Sequence, residues 1–228
     1  MNAQISHIEP KLGEGIYLIK DVAKILGIDY QKTYRWIVGY WGVLDGRLDQ
    51  NINYTFGDSE LRAINFFSLI EFYTFFKLRE KGVSSTEIKK LHSELSVIHN
   101  TPYPFAKAHD FFVEGRKYKT FVYYNYLDNL IKSDRKQQVS FKFVEKFLEK
   151  VEFDDNNLAV RFFPLIDSRN VVVDPNHQFG QPVVQGTNIK TTTIYNLLLG
   201  GESEDFIARL YNLKHDQVKD AIRFSKAA

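Results

Sequence analysis

The chain has 228 residues, enough for one large domain or two small ones, and a hydrophobic fraction of 44% allows a packed core. It contains no cysteine, which excludes disulfides, thiolate metal sites and a cysteine nucleophile. The formal net charge of +2 is nearly neutral, so any nucleic-acid binding must come from a local patch.

The first stretch, MNAQISHIEPKLGEG, has no basic-then-apolar leader, and no apolar run approaches the roughly 18 residues of a membrane span. A cytoplasmic protein with a flexible tail over 1–14 is expected. Leu18–Gly27 then reads as a short helix with Val22, Ala23, Ile25 and Leu26 on its apolar face, closed by Gly27. Asp29 suits the cap of a second helix running to about Trp41, with Thr33, Trp36 and Ile37 inward and Gln31, Lys32, Tyr34 and Arg35 outward. Asp45-Gly46 signals a hairpin turn, hence a small wing.

INFFSLIEFYTFFKLREKG follows as a helix. Its polar residues Ser68, Glu71, Thr74 and Lys77 are spaced by three, about 300° of rotation, so they drift around the helix and form no broad polar face. Such a helix is buried on most sides, against its own domain and against another domain or a second subunit. Gly82 closes it, and Ser84 or Ser85 caps a further helix, EIKKLHSELSVIH.

In the middle, TPYPFA is expected to be extended, and FFVEGRKYKTFVYY reads as a hairpin around Gly115. A helix, SFKFVEKFLEKV, precedes a second hairpin, VEFDDNNLAVRFFP, turning at Asp154–Asn157. Pro164–Ser168 is the natural boundary. Beyond it lie short strands in VVVD (171–174) and PVV (182–184), then helices over about 192–199, 203–211 and 215–226. The fold class expected is α+β, mainly helical with small hairpins. The tail would be followed by a winged helix-turn-helix with long helices (15–100), a mixed middle region (101–164) and a C-terminal three-helix, helix-turn-helix-like module (165–228).

LIKDVAKILGIDYQKTYRWI has the apolar spacing, glycine turn and polar second helix of a helix-turn-helix. In that reading Lys32 and Arg35 contact phosphates or guanine edges, Gln31 contacts adenine, Tyr34 the backbone, and Arg47 reaches in from the wing. The plainer alternative is a helical hairpin with a solvated polar face. EDFIARLYNLKHDQVKDAIRFS repeats the helix-turn-helix pattern. Phe206, Ile207, Leu210, Val218, Ala221 and Ile222 are expected to face the core, with Lys214, His215, Gln217, Lys219 and Arg223 outside. Lys214, His215 and Gln217 form a second candidate DNA-contacting set. However, Glu202, Glu204, Asp205, Asp216 and Asp220 balance Arg209, Lys214, Lys219, Arg223 and Lys226, so dimerisation or packing serves equally well.

Arg116, Lys117 and Lys119 flank Tyr118, with Lys132, Arg135 and Lys136 close behind. This basic stretch suits nucleic acid or an acidic protein surface, or simply keeps a hairpin tip and loop soluble. The six histidines make no metal-binding pair or motif. No phosphate-cradling glycine loop and no nucleophile elbow occurs, and Asp154-Asp155 suits a turn better than a catalytic pair. Neither enzyme chemistry nor a cofactor or metal is expected.

From Asp174-Pro175 through Phe179-Gly180-Gln181-Pro182, Gly186-Thr187 and Gly201-Glu202-Ser203 to Leu213, Val218 and Ala221-Ile222, the C-terminal quarter resembles a small bacterial and archaeal domain family of formerly unknown function. The remainder is similar to its longer members, VapB-type antitoxins with a MerR-like helix-turn-helix. That likeness rests on Val22-Ala23, Leu26-Gly27, Arg35-Trp36, Ser68 through Glu71, Leu78 through Ser84, Tyr103 through Ala106 and Arg161 through Leu165. The resemblance implies an antitoxin of a type II module. Such a protein neutralises a PIN-like ribonuclease toxin and represses its own operon through promoter DNA. A homodimer is expected separately, from the apolar surface that the aromatic helix 64–80 turns to several sides and from the two-fold dimers that usually read bacterial operators. PIN-like nucleases have acidic metal sites, so Arg116, Lys117, Lys119, Lys132, Arg135 and Lys136 are candidate toxin contacts. The chain departs from the family at Asn188 and Lys190, where Arg and Pro are common, and in having Gln31, Lys32 and Tyr34 where more arginine is usual. A protein-binding adaptor or dimerisation module without DNA binding is the alternative.

Overall fold

The computed structural model describes residues 14–41, 54–57, 61–80, 82–107 and 149–226. The expected wing, the hairpin around Gly115 and most of the helix over 140–151 lie outside the described residues. The described chain is mixed helical with small two-stranded sheets, as expected for α+β. It divides into two compact units. One takes Met1–Tyr34, Phe56–Phe66 and Arg161–Ala228; the other takes Arg35–Thr55 and Phe67–Val160. Both are discontinuous in sequence.

In the first unit, β1 (Tyr17–Leu18) pairs antiparallel with β2 (Ala63–Ile64). Helix α1 (Ile19–Leu26) buries Ile19, Val22, Ala23 and Ile25. Gly27 ends it at φ 64°, in the left-handed region that costs glycine nothing, and Ile28 N–H returns to the Ala23 carbonyl at 2.9 Å. Helix α2 (Tyr30–Arg35) follows and runs into a π-helical turn, Trp36–Trp41; from Arg35 onward the chain belongs to the second unit. The expected single helix to Trp41 is thus helical throughout but widens after Arg35.

The rest of this unit is C-terminal. Strands β5 (Val171–Val172) and β6 (Val183–Val184) pair antiparallel, and Phe162 bridges to Val173. They lead to α5 (Thr191–Leu199), α6 (Glu204–Tyr211) and α7 (His215–Lys226), each bound within one residue of expectation. Val184, Ile194, Ile207, Ala208, Val218 and Ala221 make the buried core between them. Phe206 and Leu210 do not join it. They are 40% and 54% exposed, because Ile207 and Ala208 already present the inward face of α6.

The second unit is built on α3 (Phe66–Glu80) and α4 (Ser85–His99). Ser68 through Phe76 are all buried, the all-round burial that the scattered polar spacing implied. The partners are aromatic and lie within the unit: Trp36 meets Phe75 edge-on at 5.7 Å and Phe76 at 5.5 Å, and Phe67 meets Tyr103 at 5.5 Å. Ser84 caps α4 reciprocally, its hydroxyl accepting Glu87 N–H while Glu87 accepts Ser84 N–H. Residues 104–107 form a turn rather than the extended segment expected of TPYPFA.

Strand β3 (Val151–Phe153) forms the expected hairpin with β4 (Ala159–Phe162). Asp154 Oδ1 accepts the N–H groups of Asn156 and Leu158, both at 2.9 Å, so this carboxylate is committed to the turn.

Candidate nucleic-acid interface

The start of α2 is held from below. Asp29 Oδ1 accepts Lys32 N–H at 2.9 Å, the geometry of an N-cap. The Asp29 carbonyl accepts both the N–H and the hydroxyl of Thr33 at 2.9 Å. Thr33 and Ile37 are fully buried and face the core. That leaves Gln31 and Arg35, four residues apart on one helical face, exposed to solvent, with Lys32 and Tyr34 half-buried beside them. The expected outward set of α2 is therefore presented together.

Tyr30, which the sequence reading did not single out, is 45% exposed at the head of the same helix, its ring 6.3 Å from that of Tyr34. Its signal was its place immediately after the capping aspartate. The α1 cation Lys24 faces inward instead. Its ammonium donates to the Ser225 carbonyl at 3.4 Å and lies 5.8 Å from the Phe224 ring centre, and burial lowers its pKa against the opposing pull of Asp21.

The second candidate set is largely occupied by the fold. Asn212, at φ 52°, closes α6, and Leu213 N–H returns to the Ala208 carbonyl at 2.8 Å. Gln217 Oε1 accepts Lys214 N–H at 3.0 Å, and its Nε2 donates to the Gln185 carbonyl at 3.2 Å. Both ends of that amide are spent. His215 Nδ1 lies 3.3 Å from Asp205 Oδ1. Only Lys214 of the three projects an exposed side chain without such a contact being part of the turn. Arg47 and the six basic candidates Arg116, Lys117, Lys119, Lys132, Arg135 and Lys136 lie outside the described residues.

Two polar clusters are centred on buried carboxylates, Asp174 and Glu71. In the C-terminal unit, Asp174 Oδ2 lies 3.0 Å from Arg161 Nε and 3.1 Å from His177 Nδ1, while Oδ1 accepts Asn176 N–H at 2.9 Å. Burial pushes the Asp174 carboxyl up, but Arg161, the Asn176 N–H and His177 together outweigh it and hold the group below its ordinary value. In the other unit, Glu71 Oε1 accepts Ala106 N–H at 2.8 Å, and Oε2 lies 3.1 Å from His92 Nε2. Complete burial raises the Glu71 pKa, against these favourable contacts.

Among the described residues, no group of three histidine, cysteine, aspartate or glutamate side chains is placed to hold a metal ion. No helix among them is long and apolar enough to cross a membrane.

Residues 171–225 match the family model described as "Protein of unknown function (DUF433)". This span takes in β5, β6 and all three C-terminal helices. Over 87 residues the chain is 34% identical to a Mycobacterium tuberculosis (strain ATCC 25618 / H37Rv) protein named "Putative antitoxin VapB45". That match spans 38% of this chain and 36% of the relative, about a third of its length. The structure resembles the crystal structure of Rv2018 from Mycobacterium tuberculosis with a TM-score of 0.64 and 20% identity, covering 90% of this chain and 96% of that one. The likeness to Rv2018 extends the shared fold to nearly the whole chain.

Proposed function

We propose that this protein is the antitoxin of a type II toxin–antitoxin module. It binds and neutralises a PIN-like ribonuclease and, without enzymatic activity of its own, represses its operon by binding promoter DNA in the cytoplasm. The toxin half of the reading is supported by the 34% identity to the mycobacterial relative. The DNA half is supported by one geometric observation: the capped head of α2 presents Gln31, Lys32, Tyr34 and Arg35 beside Tyr30. Side chains at the start of the second helix are those that enter a major groove. Gln31 and Arg35 would read base edges there, Lys32 would neutralise a phosphate, and Arg47 would contact the backbone from a wing. Lys214 would supplement them.

The basic residues Arg116, Lys117, Lys119, Lys132, Arg135 and Lys136 would meet the acidic metal site of the nuclease. Co-expression with a PIN-like nuclease from the neighbouring reading frame, the partner this reading requires, tests this half. The two should co-purify and the nuclease should be silent, whereas charge reversal at Arg116, Lys117 and Lys119 should release it. An active nuclease in the presence of excess wild-type protein would contradict the toxin assignment.

The adaptor reading is favoured by the net charge of +2 and by the internal commitment of Gln217. It is separated from the first by whether the protein binds its own upstream DNA.

A further inference from the structure

The most unexpected surface of the C-terminal unit is the outer face of α6. Phe206 and Leu210 stand one helical turn apart, 40% and 54% exposed, and Leu199 at the end of α5 is 67% exposed. The inward face of the same helix is complete without them, since Ile207 and Ala208 fill it. α3, the other apolar helix, has its aromatic partners within its own unit and offers no comparable face.

We infer that the outer face of α6 is a two-fold interface between two copies of this chain, with the α6 helices antiparallel. The charges on the helix decide both the occupant and the direction. Glu202, Glu204 and Asp205 lie at its start, Arg209 near its end and Lys214 just beyond. A second copy laid parallel would set acid against acid and base against base. Laid antiparallel about Ala208, it sets Phe206 against Leu210 of the second copy and Glu202 against Lys214, and it brings Arg209 within reach of Asp205. Each contact occurs twice, as an isologous interface requires. The helix dipoles also oppose in this arrangement. An acidic or basic foreign surface would satisfy only one half of the helix. The apolar pair forms the centre and the charged pairs the rim, the usual anatomy of an interface.

The inference is independent of DNA binding and is tested by the oligomeric state of the full chain. Sedimentation across a concentration series should show a dimer. Phe206→Ser/Leu210→Ser should raise its dissociation constant at least about 100-fold, about 2.8 kcal/mol at 1.4 per tenfold change, with helical content retained. Arg209→Asp alone should weaken the dimer, and adding Asp205→Arg should restore it.

A wild-type monomer throughout, or a dimer indifferent to the apolar double variant, would overturn the inference. So would a double variant that loses toxin binding while its oligomeric state stays unchanged, since the face would then belong to the toxin. Failure of the charge swap to restore the dimer would overturn the antiparallel arrangement.

Discussion

Glu71 accepts the backbone N–H of Ala106 at 2.8 Å, across 35 positions of sequence, from a site that is fully buried. The same carboxylate meets His92 at 3.1 Å, so one side chain of α3 holds both α4 and the turn that follows it. A buried acceptor of this kind costs several kcal/mol to disturb, since its partners lose their hydrogen bonds without gaining water.

Glu71→Ala should therefore destabilise the protein by roughly 3–5 kcal/mol, and Glu71→Gln by less, because an amide oxygen can still accept the Ala106 N–H. Urea titration checks both. The pH dependence has a definite sign. Burial raises the Glu71 pKa above its ordinary value of 4.5 in the folded state. The folded protein therefore binds the proton more tightly than the unfolded chain. The stability from this group is complete below the ordinary carboxylate range and is lost as pH rises through the folded pKa. The Glu71→Gln variant should lack that slope.

Asp174 has the opposite sign. Its carboxyl is held below its ordinary value, so its contribution is present above the usual carboxylate range and is lost as pH falls through the lowered folded pKa. Asp174→Ala should cost about 1–3 kcal/mol and flatten the acid limb of the stability curve. Arg161→Ala should cost less, because its side chain is 39% exposed and solvent screens the pair.

Gly180 sits at φ +82°, and a Cβ there would lie 2.1 Å from the Tyr17 hydroxyl. Gly180→Ala combines left-handed backbone strain with a collision against a buried ring, and should destabilise by roughly 2–4 kcal/mol. Tyr17→Phe is the informative contrast. The Tyr17 hydroxyl is buried and has no hydrogen-bond partner among the described residues. Removing it should cost under about 1 kcal/mol or stabilise the fold, as thermal melts would show. A large loss in Tyr17→Phe would mean that the hydroxyl is satisfied after all.

Asp29→Ala should cost about 1 kcal/mol through loss of the α2 cap. If the head of α2 reads DNA as proposed, the same substitution should also weaken DNA binding without removing any of the side chains proposed to contact it, because α2 frays from its head. Asp29→Asn, which keeps an accepting oxygen, should retain most of both. Equal affinity in Asp29→Ala and wild type would detach the head of α2 from DNA recognition.

Much of this architecture could be read locally. Gly27, Asp29, Ser84 and the C-terminal helix bounds announce themselves through capping and turn chemistry, which depends on neighbours a few residues away. The outward set on α2 followed from helical period alone, once Thr33 and Ile37 were assigned inward. What escaped was decided at a distance. The Glu71–Ala106, Arg161–Asp174 and Gln217–Gln185 contacts join segments whose proximity no periodicity encodes. Phe206, Ile207 and Leu210 offered two apolar faces on one short helix, and only the packing of α5 and α7 selects Ile207. Two discontinuous units likewise cannot emerge from a reading that divides the chain end to end.

DNA recognition by the head of α2, as proposed, underlies the repressor reading. It is tested most directly by fluorescence anisotropy of the full chain on its own upstream DNA across a salt series, beside the Lys32→Ala/Arg35→Ala variant. The wild type should bind specifically, with affinity falling with salt as counterions are released, and the double variant should show at least about a tenfold loss with a salt slope shallower by about 1–2 units. Equal affinity and equal slope in the two proteins would contradict it, as would a wild type that prefers its upstream DNA no more than unrelated sequence, with and without the toxin present.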